Sequence, residues 1–258
     1  MFTKFIAKFF GRGRTQISRP KILAHRGARK VAPENTLAAF EKAVRLGFDG
    51  VEFDVVMTRD SIPVVYHGDD LSQTTRTKGL IYQMDADDVF KADAGEMFDL
   101  KYRGEKIPSL REALDFLSRT NMFINIELKS QPKRKSGVEK IVADMIHEHN
   151  LEARCLVSSF SPWILHRFCK YAPNITTSLL TGPKPFFFIK TFMWAHLLHI
   201  GGINPVIQST TDTLMTFARA KNWKVFAWNV NMRQEYAKAI DFGVDGIITD
   251  EPELLNIK

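Results

Sequence analysis

Gly50-Val51-Glu52-Phe53-Asp54-Val55-Val56 and Phe123-Ile124-Asn125-Ile126-Glu127-Leu128-Lys129 are the two stretches that decide the fold. Each is an apolar run with polar or charged residues at every second position. Side chains alternate between faces along a strand, so Glu52 and Asp54 share one face. Asn125, Glu127 and Lys129 share a face in the same way. The flanking Val51, Phe53 and Val55 are apolar, so this strand is not a solvent-washed edge. Charge inside such a strand is costly unless it is paired or bound to a metal.

Further strand candidates lie at 21–25, 155–159, 175–180, around 203–207, 224–229 and 246–249. Amphipathic stretches separate many of them. Leu37, Phe40 and Val44 recur at helical spacing, with Gly47 as a stop. Ser109-Leu110-Arg111-Glu112 is a capping box ahead of Ala113, Leu114 and Leu117. Val138, Ile141, Val142, Met145 and Ile146 form another helical stripe. Eight strands alternating with helices predict a (β/α)8 TIM barrel. The length of 258 residues suits one such unit, spanning 21–258 behind a tail at 1–20. A weak repeat agrees: Gly47-Phe48-Asp49-Gly50 through Asp54 lines up with Gly243-Val244-Asp245-Gly246 through Asp250. A doubly wound sheet is the alternative, but no GxGxxG turn follows the first strand.

Lys and Arg number 36 against 29 Asp and Glu. Most of that excess sits in the tail, where Lys4, Lys8, Arg12, Arg14 and Arg19 meet no acid. Beyond the tail no basic stripe is interleaved with aromatics, which argues against nucleic acid as a partner. Phe2, Phe5, Ile6, Phe9 and Phe10 lie between the cations at helical spacing. The run is too short and too interrupted for a signal peptide or a membrane span. A basic amphipathic helix touching anionic lipid is one reading, and a solvated tail the other. A second Phe- and Trp-rich segment, 184–198, is either a buried barrel helix or a second membrane contact. The two cysteines, Cys155 and Cys169, give no disulfide framework or thiolate zinc site. With no apolar leader, they point to the cytoplasm, with peripheral membrane contact through 1–14 and 184–198.

Barrel active sites lie at the carboxyl ends of the strands. There the first strand ends in His25-Arg26-Gly27, and the next two carry Glu52, Asp54, Glu127 and Lys129. A buried ion-pair network, such as Lys129 with Glu52, would explain one such residue. Three carboxylates, a lysine and an arginine together point to chemistry. Pro63-Val64-Val65-Tyr66-His67 follows too closely for a parallel crossover, so it reads as a hairpin arm. A turn about 60–61 would set His67 opposite Asp54.

These residues carry a resemblance. His25-Arg26-Gly27, Pro33-Glu34-Asn35-Thr36, Gly50-Val51-Glu52-Phe53-Asp54, Tyr66-His67, Ile126-Glu127-Leu128-Lys129 and Trp228-Asn229-Val230-Asn231 occur in order. The chain resembles the glycerophosphodiester phosphodiesterase family over roughly residues 21–256. One position departs from the family pattern: Gly68 stands where an Asp usually follows the second histidine.

The resemblance implies metal-dependent hydrolysis of glycerophosphodiesters to glycerol 3-phosphate and an alcohol, through a cyclic glycerol phosphate. It implies one divalent cation, Ca²⁺ or Mg²⁺, on Glu52, Asp54 and Glu127. His25 and His67 become general acid and base, and Arg26 and Lys129 hold the phosphate. Glu34 and Asn35 support the site, and Trp228 lies near the substrate. Residues 68–108 become a small insertion over the barrel mouth. Two rival readings are a lysophospholipase D-type activity at a membrane surface and a non-catalytic phosphosugar- or lipid-binding barrel.

Overall fold

The structure is a computed structural model that describes residues 19–131, 137–183 and 200–257. The strands are β1 (Lys21–His25), β2 (Gly50–Met57), β3 (Pro63–Val65), β4 (Phe123–Leu128), β5 (Cys155–Ser159), β6 (Thr176–Thr181), β7 (Gly202–Pro205), β8 (Lys224–Ala227) and β9 (Gly246–Thr249). All but β3 pair in parallel in the order β1-β2-β4-β5-β6-β7-β8-β9, and β9 returns to β1. The result is the expected closed eight-stranded barrel.

Around it lie α1 (Leu37–Leu46), α2 (Ala86–Val89), α3 (Leu110–Ser118), α4 (Val138–Glu148), α5 (Pro162–Tyr171), α6 (Asp212–Ala220) and α7 (Arg233–Phe242). Local signals place their ends. Thr36 caps α1 by accepting from the Ala39 N–H, and Gly47 ends it at φ 84°. At α3 the Ser109 hydroxyl accepts from Glu112 N–H while Glu112 accepts from Ser109 N–H, the anticipated capping box. Two stripes differ from expectation. The buried face of α1 is Ala39, Phe40 and Ala43, leaving Val44 38% exposed. On α4 the buried set includes Glu139, which Arg167 of α5 neutralises at 2.7 Å.

The main core lies between the outward strand faces and the helices. Val51, Phe53, Ile124, Ile126 and Val157 are fully buried against Phe40, Leu114 and Phe168. The barrel interior carries a smaller apolar floor of Leu23, Leu156, Phe226 and Ile248. By strand alternation, Glu52, Asp54, Asn125 and Glu127 share the inner face.

The repeat has a physical basis. Gly47 and Gly243 both end helices in the left-handed region. Asp49 accepts from the Ile22 N–H at 2.8 Å, and Asp245 accepts from the Val225 N–H at 2.9 Å. Each aspartate thus ties a helix exit to the neighbouring strand. Gly50 and Gly246 then enter the barrel where a Cβ would stand 2.3 Å from Phe123 O and from the Phe226 ring, respectively.

β1 pairs with β2 only through His25↔Glu52. Past that point β3 takes its place, antiparallel, from Val55↔Val65 to Met57↔Pro63. The turn is centred on Asp60, with Ser61 at φ 71°. This sets Tyr66, not His67, opposite Asp54, through the Tyr66 N–H to Asp54 O bond. The expected register was one residue off, because the turn has three residues (Arg59, Asp60, Ser61) rather than two. Residues 66–109 then form short turns and α2 around their own small core of Tyr66, Leu71, Ile81, Val89 and Ile107.

The tail segment 1–14 and the segment 184–198 lie outside the described residues. Among the described residues no helix is long and apolar enough to cross a membrane.

Two glycine substitutions should separate two kinds of requirement. Gly50→Ala should cost about 2 kcal/mol or more, because backbone blocks the new methyl. Gly47→Ala meets nothing within 4 Å and should cost only about 1 kcal/mol, from its left-handed conformation. Chemical denaturation of the two variants reads the difference.

Candidate active site

His25 closes β1, and Arg26 at φ 55° turns the chain off the barrel. That kink aims the Arg26 N–H at Glu52 Oε2, 3.1 Å away. The Arg26 carbonyl accepts from the Asn35 N–H. Asn35, at φ 57° and buried, donates Nδ2 to Asp54 Oδ2 at 2.9 Å. Its Oδ1 accepts from the Asp54 backbone N–H. Asn35 therefore fixes both ends of Asp54. Glu34 beside it holds Arg26 at 2.7 Å and Arg29 at 2.8 Å.

Glu52, Asp54 and Glu127 converge, with one carboxylate oxygen from each within 4.8 Å of the other two and all three residues buried. The Lys129 ammonium joins them at 2.8 Å from Asp54 and 2.5 Å from Glu127. Its partners are these two, not the Glu52 suggested by sequence. Arg26 Nε lies 3.3 Å from Asp54 Oδ2, a charge contact without hydrogen-bond geometry.

The electrostatics split the three acids. Burial raises Glu52 well above its usual range, and the charges of Asp54 and Glu127 push the same way. Burial also raises Glu127, with Asp54, to about 7. At Asp54 burial is overruled by Lys129 and Arg26, which hold it at about 2. So many buried oxygens, with two acids driven toward protonation, is the condition that a divalent cation relieves. The donor set is all carboxylate, which suits a hard cation. The residues present fit such an ion.

His25 and His67 flank this cluster. His25 donates Nδ1–H to Asp250 Oδ1 at 2.8 Å, and its Nε2 faces Glu52 Oε2 at 3.9 Å. Burial opposes the Asp250 charge, but His25, Asn231 and Arg29 hold its carboxyl at about 2. Asn231 donates to the second Asp250 oxygen at 2.8 Å. His67, on the strand exit after β3, feels the Asp54 charge; burial lowers it to about 4, so it is neutral near pH 7. Its ring makes no hydrogen bond with the described residues. Gly68 adopts φ 86°, and a Cβ there would meet the Gln73 amide at 2.4 Å. Asp70, two residues later, caps a short turn by accepting from Ser72 N–H. Trp228 follows β8 and meets Phe160, which follows β5, edge-on at 5.7 Å. This pair spans the mouth above β6 and β7.

Sequence reasoning missed Asp250 as the partner of His25, along with Asn231, Arg29 and Phe160. One signal was available: Asp250 aligns with Asp54 in the repeat, so it had to end a strand at the same mouth.

Residues 25–254 match the glycerophosphoryl diester phosphodiesterase family. The chain belongs to this family. It is accordingly a phosphodiesterase, on a barrel that the family's solved structures share. A protein of Caldanaerobacter subterraneus subsp. tengcongensis, called glycerophosphodiester phosphodiesterase, is 36% identical over 91% of this chain and 95% of its own. An Oleispira antarctica phosphodiesterase, solved with the product sn-glycerol-3-phosphate, is 30% identical with a TM-score of 0.78, covering 92% of this chain and 95% of its own. A Silicibacter pomeroyi structure, described as a glycerophosphoryl diester phosphodiesterase, superposes at 0.80 with 26% identity over 91% of each chain.

The ion-pair geometry makes a prediction for Lys129→Met. Removing the ammonium leaves buried acids without their nearest counter-charge, and loss of one partner of a buried pair typically costs about 3 kcal/mol. The metal-free protein should melt several degrees lower, and millimolar divalent cation should recover more of that loss than it gains for the wild type. Differential scanning calorimetry with and without cation reads both.

Proposed function

We propose that this chain hydrolyses glycerophosphodiesters to glycerol 3-phosphate and an alcohol, with His25 and His67 exchanging the protons. The observation that carries the reading is the set of three buried carboxylates flanked by two histidines of unlike environment. Glu52, Asp54 and Glu127 would hold one divalent cation, Ca²⁺ or Mg²⁺. When bound, that ion would supply Lewis acidity to the phosphoryl group. Arg26 and Lys129 add positive charge where negative charge grows in the transition state.

The two histidines divide the proton work. Neutral His67 has a free lone pair and accepts the proton of the glycerol 2-hydroxyl as its oxygen attacks phosphorus. The P–O bond to the alcohol breaks, and His25 gives its proton to the departing oxygen. Asp250 stabilises the protonated His25 and holds its Nε2 toward the cluster. The products of this step are the cyclic 2,3-phosphate and the free alcohol. In the second step His25 takes a proton from water, whose oxygen attacks phosphorus. The bond between phosphorus and the 2-oxygen breaks as His67 returns its proton to that oxygen, giving glycerol 3-phosphate. Glu34 and Asn35 keep Arg26 and Asp54 in place throughout. Trp228, with Phe160, forms an apolar wall for the substrate's carbon skeleton.

The decisive assay is release of glycerol 3-phosphate from glycerophosphocholine, beside lysophosphatidylcholine, with and without chelator. Chelator-sensitive release from the first substrate is expected; no release with either cation would overturn the reading. Glu52→Gln and Glu127→Gln should lose cation binding and most activity while keeping the fold by circular dichroism. His67→Ala should lower kcat by about 10²–10⁴-fold, the usual range for an acid–base group. Asp250→Asn should lower kcat with little change in KM.

A further inference from the structure

The inner face of the barrel holds polar groups that the proposed reaction does not use. Asn125 is fully buried, and neither Nδ2 nor Oδ1 has a hydrogen-bond partner among the described residues. Ser158 is fully buried as well, and its Oγ is equally unpartnered. Their positions are not arbitrary. Asn125 is the register neighbour of Glu52 across the β2–β4 pair, and Ser158 is that of Glu127 across β4–β5. Both lie on the inner face: Asn125 alternates with Glu127, and Ser158 alternates with Leu156 of the barrel floor. The two unpartnered side chains therefore stand next to the two acids that burial drives upward.

The acids have room for them. Glu52 Oε2 accepts from the Arg26 N–H, and Glu127 Oε1 accepts from Lys129. The other oxygen of each has no donor among the described residues. An amide or hydroxyl left bare in a protein interior is unfavourable, and such groups normally meet a polar partner or an enclosed water. A carboxylate that ligates a metal is itself normally hydrogen-bonded, and loss of that support typically weakens metal binding 10–100-fold.

We propose that Asn125 and Ser158 are positioning residues for the cation site. Asn125 Nδ2 donates toward Glu52 and Ser158 Oγ toward Glu127, each through one enclosed water, and so orient both carboxylates from beneath. This inference rests on the cation reading above. It adds a polar underside to a site otherwise held from the mouth by Arg26, Asn35 and Lys129.

A support role and a merely structural role predict opposite patterns. Asn125→Leu keeps the branched outline of the side chain and removes both polar atoms; Ser158→Ala removes the hydroxyl. With the full chain, calorimetric titration of Ca²⁺ and Mg²⁺ gives the affinity, and thermal melting without metal gives the stability. The expected result is a cation Kd weakened 10–100-fold in each variant, with a metal-free melting temperature equal to or above that of the wild type. A Kd within twofold of wild type overturns the proposal, whatever happens to stability. Should Asn125→Leu fail to fold, Asn125→Ala with Ser158→Ala carries the same comparison. Wild-type protein that binds neither cation defeats the cation reading itself, so the two failures are distinguishable.

Discussion

Like charges packed inside one barrel repel, and the site around Glu52, Asp54 and Glu127 is organised to contain that repulsion. The containment is an alternating chain of charge. Asp250 meets Arg29, Arg29 meets Glu34, and Glu34 meets Arg26. Arg26 then meets Asp54, Asp54 meets Lys129, and Lys129 meets Glu127. Each member has an opposite charge on either side or at its one end. Glu52 stands outside the alternation, held by a backbone N–H rather than a cation side chain, and it is strongly raised. The local backbone serves this chain. Arg26 and Asn35 both adopt positive φ: Arg26 delivers its backbone N–H and its side chain to β2, and Asn35 its side-chain amide to Asp54 while its N–H holds the Arg26 carbonyl.

Much of this was legible in the sequence because strands have a simple period. Alternation alone put Glu52 with Asp54 and Asn125 with Glu127 and Lys129 on common faces. Helix ends were legible too, since Thr36, Gly47, Ser109 and Glu112 act locally. What failed was the non-local part. The Lys129 partners depend on how far two strands are offset, and register cannot be counted from one chain. The His67 position slipped by one residue because Ser61 accepts a left-handed conformation and lengthens the turn. The His25–Asp250 contact joins groups at opposite ends of the barrel sequence and exists only because β9 closes on β1. Val44 was misplaced because Ala39 and Ala43, small and weakly apolar, define the packed face of α1.

The interior of the barrel is divided. Leu23, Leu156, Phe226 and Ile248 make a dry floor, while the polar residues of β2 and β4 occupy the level above. A dry floor denies water an approach from below, so the acids exchange with solvent only through the mouth. Phe160 and Trp228 narrow that mouth above β6 and β7. The two histidines stand in the sector of β1 and β2.

The replacement of β1 by β3 beside the upper half of β2 has a consequence for how such a protein can change. His25 belongs to the barrel wall, whereas His67 rides on the segment that opens the 66–109 excursion. That excursion packs its apolar cluster on Val56 of β2 and Val64 of β3, and is tied further by the short ladder and by the Arg59 N–H to Met84 O bond. Its outer turns can drift in length and surface while this base pins His67 in place. The barrel acts as a fixed anvil for the phosphate and the excursion as an exchangeable jaw. Two such proteins can differ in what they grip while striking the same bond.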